Sequence, residues 1–377
     1  MTRNLRSLTV AAPMCLQSRD REGAIASDWT DNPMTGPTHW DAIVIGAGPA
    51  GASAALPMAR AGLRVLMLER RRQVGFPVQC AEYIPLILAG EVNAPEAAVA
   101  ERVSTLRTFI AGKLATENTW PGVILNRAVF DCHMAQRAVA AGATLWTNCA
   151  VSAVEENAVR IGARRLTADV IVGADGPLSL TARSMDCAPA DFVYGLQVEA
   201  PLLGPMEHTE AHFHPVFLAG YGWVFPKGAS ANVGVAVARP AAARLPGLLD
   251  AFLAELRRRG VVAPGLTRAR TGGMIPVGGA PARTVCGRRV LAGDAAGQTD
   301  PITGSGIPAA IQCGQAAGEA ACGTLETYEE EWRGMLEHAL NRALRHRRTQ
   351  CAEWNQGSFE RLIRRTWIAF PECFHAR

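Results

Sequence analysis

The sequence predicts an α/β protein: a Rossmann-like nucleotide-binding domain with an inserted antiparallel-sheet domain and a helical C-terminal tail. Three observations support this prediction. A strand, a glycine turn, a helix and a second strand follow one another from Asp41 to Glu69, short alternating apolar segments run from about 190 to 240, and helix-forming residues dominate from Tyr328 onward. Apolar strands followed by helices are typical of parallel sheets, whereas alternation between turns is typical of antiparallel sheets with one covered face.

The stretch from Asp41 to Glu69 has the order of a dinucleotide-binding βαβ unit. Gly46 allows a tight turn, Gly48 lets the backbone approach a pyrophosphate, and Gly51 lets the helix pack closely on the strand. The free N–H groups and the positive dipole end of the helix hold phosphates, and Glu69 can accept hydrogen bonds from a ribose. The unit alone leaves open whether the nucleotide is FAD or NAD. The expected nucleotide contacts are Gly46, Gly48, Pro49, Ala50, Gly51, Glu69 and Arg70.

Composition restricts the class of protein. With 377 residues, 49% of them hydrophobic and 19% charged, the chain is long enough for about two domains with sizeable cores. A net charge of +4 without a basic, aromatic-rich cluster argues against nucleic acid as a partner. The ten cysteines form no CxxC pair or other metal-ligand spacing, so we expect no metal site and free thiols in a reducing cytoplasm. No apolar run reaches the roughly eighteen residues of a membrane span, which leaves peripheral membrane contact open.

The chain divides by pattern into an extension, two folded domains and a tail. Residues 1–38 have no sustained periodicity and are expected to form a disordered extension, with Met34 as the expected native start. The predicted nucleotide-binding domain is discontinuous and comprises residues 39–112, 120–188 and 270–325. A substrate domain is predicted at 189–269, together with the loop 76–105, and C-terminal helices are predicted at 326–377.

Two further apolar strands run into glycine turns. Val170–Val172 leads into a turn that contains Asp175, and Val290–Ala292 leads into a turn that contains Asp294. The latter turn is followed by a glycine-rich segment, Asp300–Ile307, that enters a helix. Such a segment presents unpaired N–H groups and a positive dipole end, which suit the pyrimidine edge of a flavin, where negative charge gathers on reduction. Asp294 is placed to accept hydrogen bonds from a ribityl chain.

The order of the three turns is similar to that of the FAD-dependent hydroxylase superfamily with the p-hydroxybenzoate-hydroxylase-like fold, and within it the sequence resembles the geranylgeranyl reductases. Tyr221–Lys227 resembles the family's YxWxFPK motif, which lines the substrate cavity. Asn126–Asp131 resembles its RxxFD segment, whose arginine approaches the FAD phosphates, and Asp300–Ile307 resembles its PxxGxGI flavin loop. The resemblance spans about residues 41–321 and implies FAD as the cofactor. Beyond the first turn, the FAD contacts that it implies are Arg127, Asp175, Gly293, Asp294, Pro301, Gly304, Gly306 and Ile307.

The loop after the second strand departs from the family pattern. The reductases carry Cys-Gly-Gly or Cys-Gly-Glu there, whereas this chain has Cys80, Ala81 and Glu82. The loss of a glycine beside the flavin can reshape the cavity. Cys80 is a candidate proton donor, with passive packing as the alternative, and Glu82 is a candidate acid, with a solvated loop carboxylate as the alternative. Tyr221 and Trp223, also candidate catalytic residues, alternate on one strand face, which suits either a cavity wall or a plain core.

The resemblance implies a flavoprotein that passes a hydride derived from NAD(P)H to a C=C bond of an apolar, prenyl-type substrate. A monooxygenase acting on an aromatic compound or on a protein tryptophan is the alternative, because some relatives with the same fold carry out that reaction. A flavin-bearing partner protein without enzymatic activity is a third hypothesis. The sequence names neither the individual substrate nor the oligomeric state.

Overall fold

The computed structural model describes residues 37–265, 267 and 269–375. The expected native start, Met34, and nearly all of the predicted extension lie outside the described residues. The strands are β1 (His39–Ile45), β2 (Val65–Leu68), β3 (Tyr83–Pro85), β4 (Val99–Ile110), β5 (Lys113–Leu125), β6 (Thr144–Trp146), β7 (Ala153–Val154), β8 (Ala158–Ile161), β9 (Arg164–Gly173), β10 (Phe192–Pro201), β11 (His208–Phe213), β12 (Gly222–Lys227), β13 (Ser230–Ala238), β14 (Thr271–Pro276), β15 (Val285–Cys286) and β16 (Arg289–Leu291). The α-helices are α1 (Pro49–Arg60), α2 (Leu86–Glu91), α3 (Arg127–Ala140), α4 (Leu180–Ser184), α5 (Leu245–Arg258), α6 (Ile307–Ala321), α7 (Glu326–Trp332), α8 (His338–Glu353), α9 (Phe359–Thr366) and α10 (Glu372–His375).

The first sheet is largely parallel and brings the three glycine turns to one edge. Its strand order is β15-β16-β9-β1-β2-β6, and β8, which pairs with β7, is attached to β9. Ile45, the last residue of β1, pairs with Leu68 of β2 and with Gly173 of β9, and Gly173 pairs in turn with Leu291 of β16. Because the carboxyl ends of parallel strands meet at the same edge of a sheet, the turns after β1, β9 and β16 lie side by side.

Helices α1 and α6 pack against each other through small residues. A Cβ atom added at Gly314 or Gly318 of α6 would collide with the carbonyl oxygens of Ala50 and Ala54 on α1. Glycine at these positions lets the two backbones approach closely. Both helices begin beside the same cavity, which is described below.

The second sheet has the strand order β14-β10-β13-β12-β11-β4-β5-β3, and its pairs are antiparallel except for β11 with β4. Residues 106–112 and 270–276 were predicted to belong to the nucleotide-binding domain alone, but β4 and β14 pair within this second sheet. Order along the chain does not reveal pairing between distant segments, which accounts for this difference. The proposed division into two domains stays a prediction.

One face of the second sheet is covered by the amphipathic helix α5. Leu249, Phe252 and Leu256 of this helix belong to the same apolar cluster as Val224 and Val235 of β12 and β13. The opposite face contributes side chains to the cavity. Successive residues of a strand point to opposite faces of a sheet, so each of these strands supports both the core and the cavity wall.

The region after residue 326 is helical, as predicted, and closes the second sheet at one side. Trp367 and Phe370 pack in one apolar cluster with Leu106 and Phe213 of the sheet. The indole Nε1 of Trp367 donates a hydrogen bond to Thr108 Oγ1 at 3.0 Å, which fixes the orientation of the ring. Among the helices in the described part of the chain, none combines the length and the apolar character needed to cross a bilayer.

Candidate active site

A cavity of about 460 Å³ is lined by residues of both sheets. One end is formed by the glycine turns and by the first residues of α1 and α6. The other end is apolar and largely aromatic. The side chains that form this apolar end include Leu106, Trp120, Tyr221, Trp223, Phe225 and Trp367.

The first glycine turn has the geometry that its sequence predicts. Gly46 has a φ of +99°, and a Cβ atom there would collide with the carbonyl oxygen of Ala174, while a Cβ atom at Gly51 would collide with the carbonyl oxygen of Gly46. A Cβ atom at Gly48, in contrast, would have no described atom within 4 Å. Gly46 and Gly51 therefore allow the backbone segments to pack closely. Gly48, in contrast, faces open cavity space in front of the α1 N-terminus, beside Pro49 and Ala50.

Glu69 holds the first turn in shape. Its carboxylate accepts hydrogen bonds from the backbone N–H of Ala47 at 3.1 Å and from that of Arg71 at 2.9 Å, and the side chain is buried. Each carboxylate oxygen has a second lone pair, so contact with a ribose stays a prediction. Arg70 is exposed and is not part of the cavity lining, so its contact with the cofactor also stays a prediction.

Asp175 caps a helix in the structure. Its carboxylate accepts hydrogen bonds from Ser179 Oγ at 2.5 Å and from the backbone N–H groups of Leu180 and Thr181 at 2.7 and 3.2 Å. Such bonds satisfy the free N–H groups at the start of α4. Its neighbours Ala174 and Gly176 line the cavity. The structure thus gives Asp175 a supporting role at the second glycine turn, and its contact with FAD stays a prediction.

Asp294 points a carboxylate at the cavity. Its Oδ1 accepts a hydrogen bond from Thr299 Oγ1 at 2.8 Å, and burial raises the pKa of the carboxyl, an effect that this hydrogen bond partly offsets. The preceding Gly293 has a φ of +68° and donates its N–H to Gln298 Oε1 at 2.8 Å. Gln298 in turn bonds to the buried Tyr328 hydroxyl of α7, so the turn is anchored to the helical tail.

Arg127 begins α3 and lines the cavity. Its Nε and Nη2 donate two parallel hydrogen bonds of 2.7 Å to the carboxylate of Asp131 one turn later. Burial works against the charged guanidinium, but the attraction of Asp131 outweighs it and raises the pKa of Arg127. A fixed, permanently charged arginine at the nucleotide end of the cavity is suited to bind phosphate.

The loop before α6 is held in shape by the side chain of Asp300 and by a glycine with a positive φ. Asp300 accepts hydrogen bonds from the N–H groups of Ile302 and Thr303 at 2.9 and 2.8 Å, and Gly304 has a φ of +70°. Gly306 precedes α6, and no side chain among the described residues caps the first turn of this helix. Pro308 has no N–H, so the first-turn groups that remain available at the cavity are those of Ile307 and Ala309. The predicted contacts Pro301, Gly304, Gly306 and Ile307 all line it.

These groups together fit FAD. The α1 N-terminus, which also lacks a side-chain cap among the described residues, and Arg127 offer hydrogen-bond donors and positive charge for a pyrophosphate. Asp294 offers an acceptor for hydroxyl groups, and the α6 N-terminus offers donors where negative charge gathers on a reduced flavin. The open space in front of Gly48 gives the pyrophosphate room beside the backbone.

Glu82 is fully buried, so the expectation of a solvated loop carboxylate is wrong. Its Oε2 lies 2.5 Å from Lys227 Nζ and 2.8 Å from Asn232 Nδ2, and its Oε1 accepts the N–H of Arg127 at 2.8 Å. The residue adopts a φ of +72°, which is uncommon for a non-glycine residue. This network ties the loop before β3 to the second sheet and to the start of α3.

Cys80 lies two residues before Glu82 and lines the cavity. Its Sγ accepts the N–H of Glu82 at 3.2 Å, and its carbonyl oxygen accepts the Gln197 side chain at 2.9 Å. Burial raises the pKa of the thiol, and the charge of Arg127 offsets only part of this effect. Ala81 has an ordinary backbone conformation, so alanine replaces the family's glycine without strain.

Tyr221 and Trp223 both line the apolar part of the cavity. The Tyr221 hydroxyl donates a hydrogen bond of 2.5 Å to the carbonyl oxygen of Thr303, which connects the residue before β12 to the loop before α6. Burial raises the pKa of this phenol well above its usual value. The indole Nε1 of Trp223 is buried without a hydrogen-bond partner among the described residues. Their catalytic roles stay predictions.

Several cavity residues were not found by sequence reasoning. Gln197, Arg347 and Trp367 come from segments far apart in the chain and belong to no short motif. Lys227 was part of a quoted motif, but its buried partner Glu82 lies on a loop 145 residues earlier in the sequence. Only the fold brings these groups together.

Comparisons with known proteins agree with this geometry. The family model described as FAD dependent oxidoreductase matches residues 41–185. The crystal structure of a geranylgeranyl bacteriochlorophyll reductase-like protein from Thermoplasma acidophilum superposes with a TM-score of 0.75 at 24% identity, covering 89% of this chain and 92% of that one. Aklavinone-11 hydroxylase, in a complex with FAD and aklavinone, superposes with a TM-score of 0.66 at 21% identity, covering 82% and 69%. These two likenesses support the fold alone.

A curated relative carries the assignment further. The digeranylgeranylglycerophospholipid reductase 2 of Methanothermobacter thermautotrophicus is 33% identical in an alignment 343 positions long, which covers 82% of this chain and 87% of the relative. The protein is therefore an enzyme that uses FAD, and the chain belongs to the geranylgeranyl reductase family of FAD-dependent oxidoreductases.

Proposed function

We propose that the protein reduces C=C bonds of a prenyl lipid with electrons that NAD(P)H delivers to its FAD. The observation that carries the proposal is one continuous cavity with two chemically different ends. Helix N-termini and Arg127 at one end suit the cofactor, and the aromatic and aliphatic walls at the other suit a prenyl chain. The curated relative is named as a reductase of a prenylated phospholipid, which supports this substrate class.

The residues that would hold FAD are the first residues of α1 and α6, together with Arg127 and Asp294. When bound and reduced, FAD supplies a hydride for one carbon of the double bond. The second carbon needs a proton, which must come from the protein or from water. The apolar walls around Tyr221 and Trp223 keep the prenyl chain out of contact with bulk water.

Cys80 is the side chain that we propose as proton donor. Burial raises the pKa of its thiol, which is therefore protonated at neutral pH, and the residue lines the cavity together with Arg127. The Tyr221 proton is already donated to the Thr303 carbonyl, and Glu82 is held in an ion pair, so both are less available. After the thiol gives its proton to the carbon, the thiolate recovers one from solvent. We assign Glu82 a positioning role on the Cys80 loop.

Peripheral contact with a membrane is part of the proposal. Pro85 lines the cavity and is itself exposed, and it is followed by Leu86 and by Ile87, which is 78% exposed. An exposed apolar patch beside a cavity for a lipid supports docking on a bilayer. Replacing Ile87 with glutamate should reduce sedimentation with phospholipid vesicles. Unchanged sedimentation would argue against contact at this patch, and the cytoplasmic location stays a prediction.

The proposed reaction can be tested with the purified, FAD-loaded chain. We expect it to consume NADH or NADPH only when a prenyl substrate such as geranylgeranyl phosphate is present and to yield a product with added hydrogen, detected by mass spectrometry. A chain that binds no FAD, or whose reduced form leaves every prenyl substrate unchanged, would contradict the proposal.

A further inference from the structure

A second buried arginine lies in the cavity wall. Arg347 of α8 is 4% exposed and lines the cavity. One turn earlier on the same helix face, Ala343 packs in a cluster with Ile302 and Trp367, both of which also line the cavity. This face of α8 therefore brings a cationic side chain to a wall that is otherwise largely apolar.

The hydrogen bonds of Arg347 leave one edge of its guanidinium free. Nη1 donates to the carbonyl oxygen of Ala219, whereas the buried Nε has no partner among the described residues. Nη2 likewise donates no hydrogen bond within the described part of the chain. The Nε and Nη2 groups lie on one edge and form the fork that binds carboxylates and phosphates with two parallel bonds. Arg127 uses the same edge to bind Asp131.

The positive charge of Arg347 also lacks a nearby negative charge among the described residues. Within the described residues, no carboxylate lies at ion-pair distance from it. Burial lowers the pKa of the guanidinium, and Asp191 and Cys351 offset this effect only through longer-range attraction. A buried charge without a partner is strongly unfavourable, so a side chain of this kind in a cavity wall is suited to pair with an incoming anion.

We propose that Arg347 makes the cavity selective for substrates that carry an oxyanion, which its free Nε–Nη2 edge binds. Phosphate and carboxylate share the required planar pair of acceptor oxygens, so either could be the recognised group. The inference rests on the proposed function, because it takes this cavity as the substrate site. It adds that a neutral prenyl alcohol is a poorer ligand than the corresponding acid or phosphate.

The test compares three ligands of equal chain length: geranylgeranyl phosphate, geranylgeranoic acid and geranylgeraniol. Binding to the oxidised, FAD-loaded enzyme is followed by changes in the flavin absorbance, and product formation is measured separately. For the wild type, we expect at least one anionic ligand to bind about 10- to 100-fold more tightly than the alcohol, as charge-assisted hydrogen bonds predict. The phosphate and acid arms identify which oxyanion is recognised.

Three variants separate recognition from structure. R347M should lose the preference for the anion while still binding the alcohol, and R347K, which keeps the charge without the fork, should retain part of it. R348M, which changes the exposed neighbour, should behave like the wild type. If R347M purifies without FAD, the comparison of R347K with the wild type carries the test.

Two outcomes would overturn the inference. One is a wild-type enzyme that binds the alcohol as tightly as both anions. The other is an arginine variant that weakens all three ligands equally, or shifts the flavin midpoint potential, while the anion preference stays intact; Arg347 would then serve the fold or the cofactor. If anions bind through Arg347 but none of the three ligands is reduced, the proposed reaction fails and the inference stands.

Discussion

Replacing Lys227 with methionine (K227M) tests whether a buried ion pair holds the Cys80 loop in place. Lys227 Nζ lies 2.5 Å from Glu82 Oε2, and the two side chains are 16% and 0% exposed. The variant leaves a buried carboxylate that keeps its hydrogen bonds from Asn232 and from the Arg127 N–H but has no cation. Removing one partner of a buried pair costs about 3–5 kcal/mol, so we expect the free energy of unfolding to fall by that amount.

The assay is urea-induced unfolding of the FAD-loaded chain, followed by tryptophan fluorescence. The matched control is the double variant E82Q/K227M, which removes both charges and should recover most of the lost stability, because no buried charge is left unpaired. A loss below about 1 kcal/mol in K227M, the size typical of an exposed ion pair, would refute the reasoning. So would a double variant less stable than K227M.

The remaining predictions concern helix packing, acid stability and proton donation. G314V should lower both thermal stability and FAD content, because any Cβ atom there collides with the Ala50 carbonyl; wild-type FAD content would contradict this packing. Burial would raise the pKa of Glu210, but hydrogen bonds to His208 and His212 outweigh burial and lower the pKa to about 2. The ionised carboxylate therefore stabilises the fold above its usual pKa of 4.5, and this stabilisation is lost as the pH falls toward 2. E210Q should therefore flatten the acid limb of a stability–pH curve. C80A should lower kcat about 100-fold or more with unchanged FAD affinity, and an unchanged kcat would exclude Cys80 as proton donor.

Local sequence signals were enough to predict the geometry of the first glycine turn. The positive φ of Gly46 and the close approach of Gly51 to the Gly46 carbonyl are local, and both follow from the strand and helix on either side. The contact of Gly46 with Ala174, in contrast, depends on the pairing of distant strands. The later turns could be placed because parallel strands end at one edge of a sheet. Each of these inferences depends on contacts within one turn or on strand direction, which a sequence pattern carries.

The substrate end of the site could not be predicted in the same way. Glu82 looks like a loop carboxylate because Lys227, its partner, lies in a strand that is distant in sequence. The membership of β4 in the second sheet depends on its parallel pairing with β11, and no local pattern encodes that pairing. Arg347 lies between other arginines of α8, and the sequence does not show which of them faces the cavity. Contacts between residues that are distant in sequence determine the burial of Glu82, the sheet to which β4 belongs and the position of Arg347 in the cavity wall.

The most direct test of the proposed activity is an anaerobic single-turnover experiment. The FAD-loaded enzyme is reduced with one equivalent of dithionite and mixed with geranylgeranyl phosphate without oxygen, and flavin absorbance and product mass are recorded. The proposed activity predicts that the substrate alone reoxidises the enzyme and gains two hydrogen atoms. An enzyme that stays reduced until oxygen is admitted, and then yields a hydroxylated product, would contradict it and favour the monooxygenase alternative.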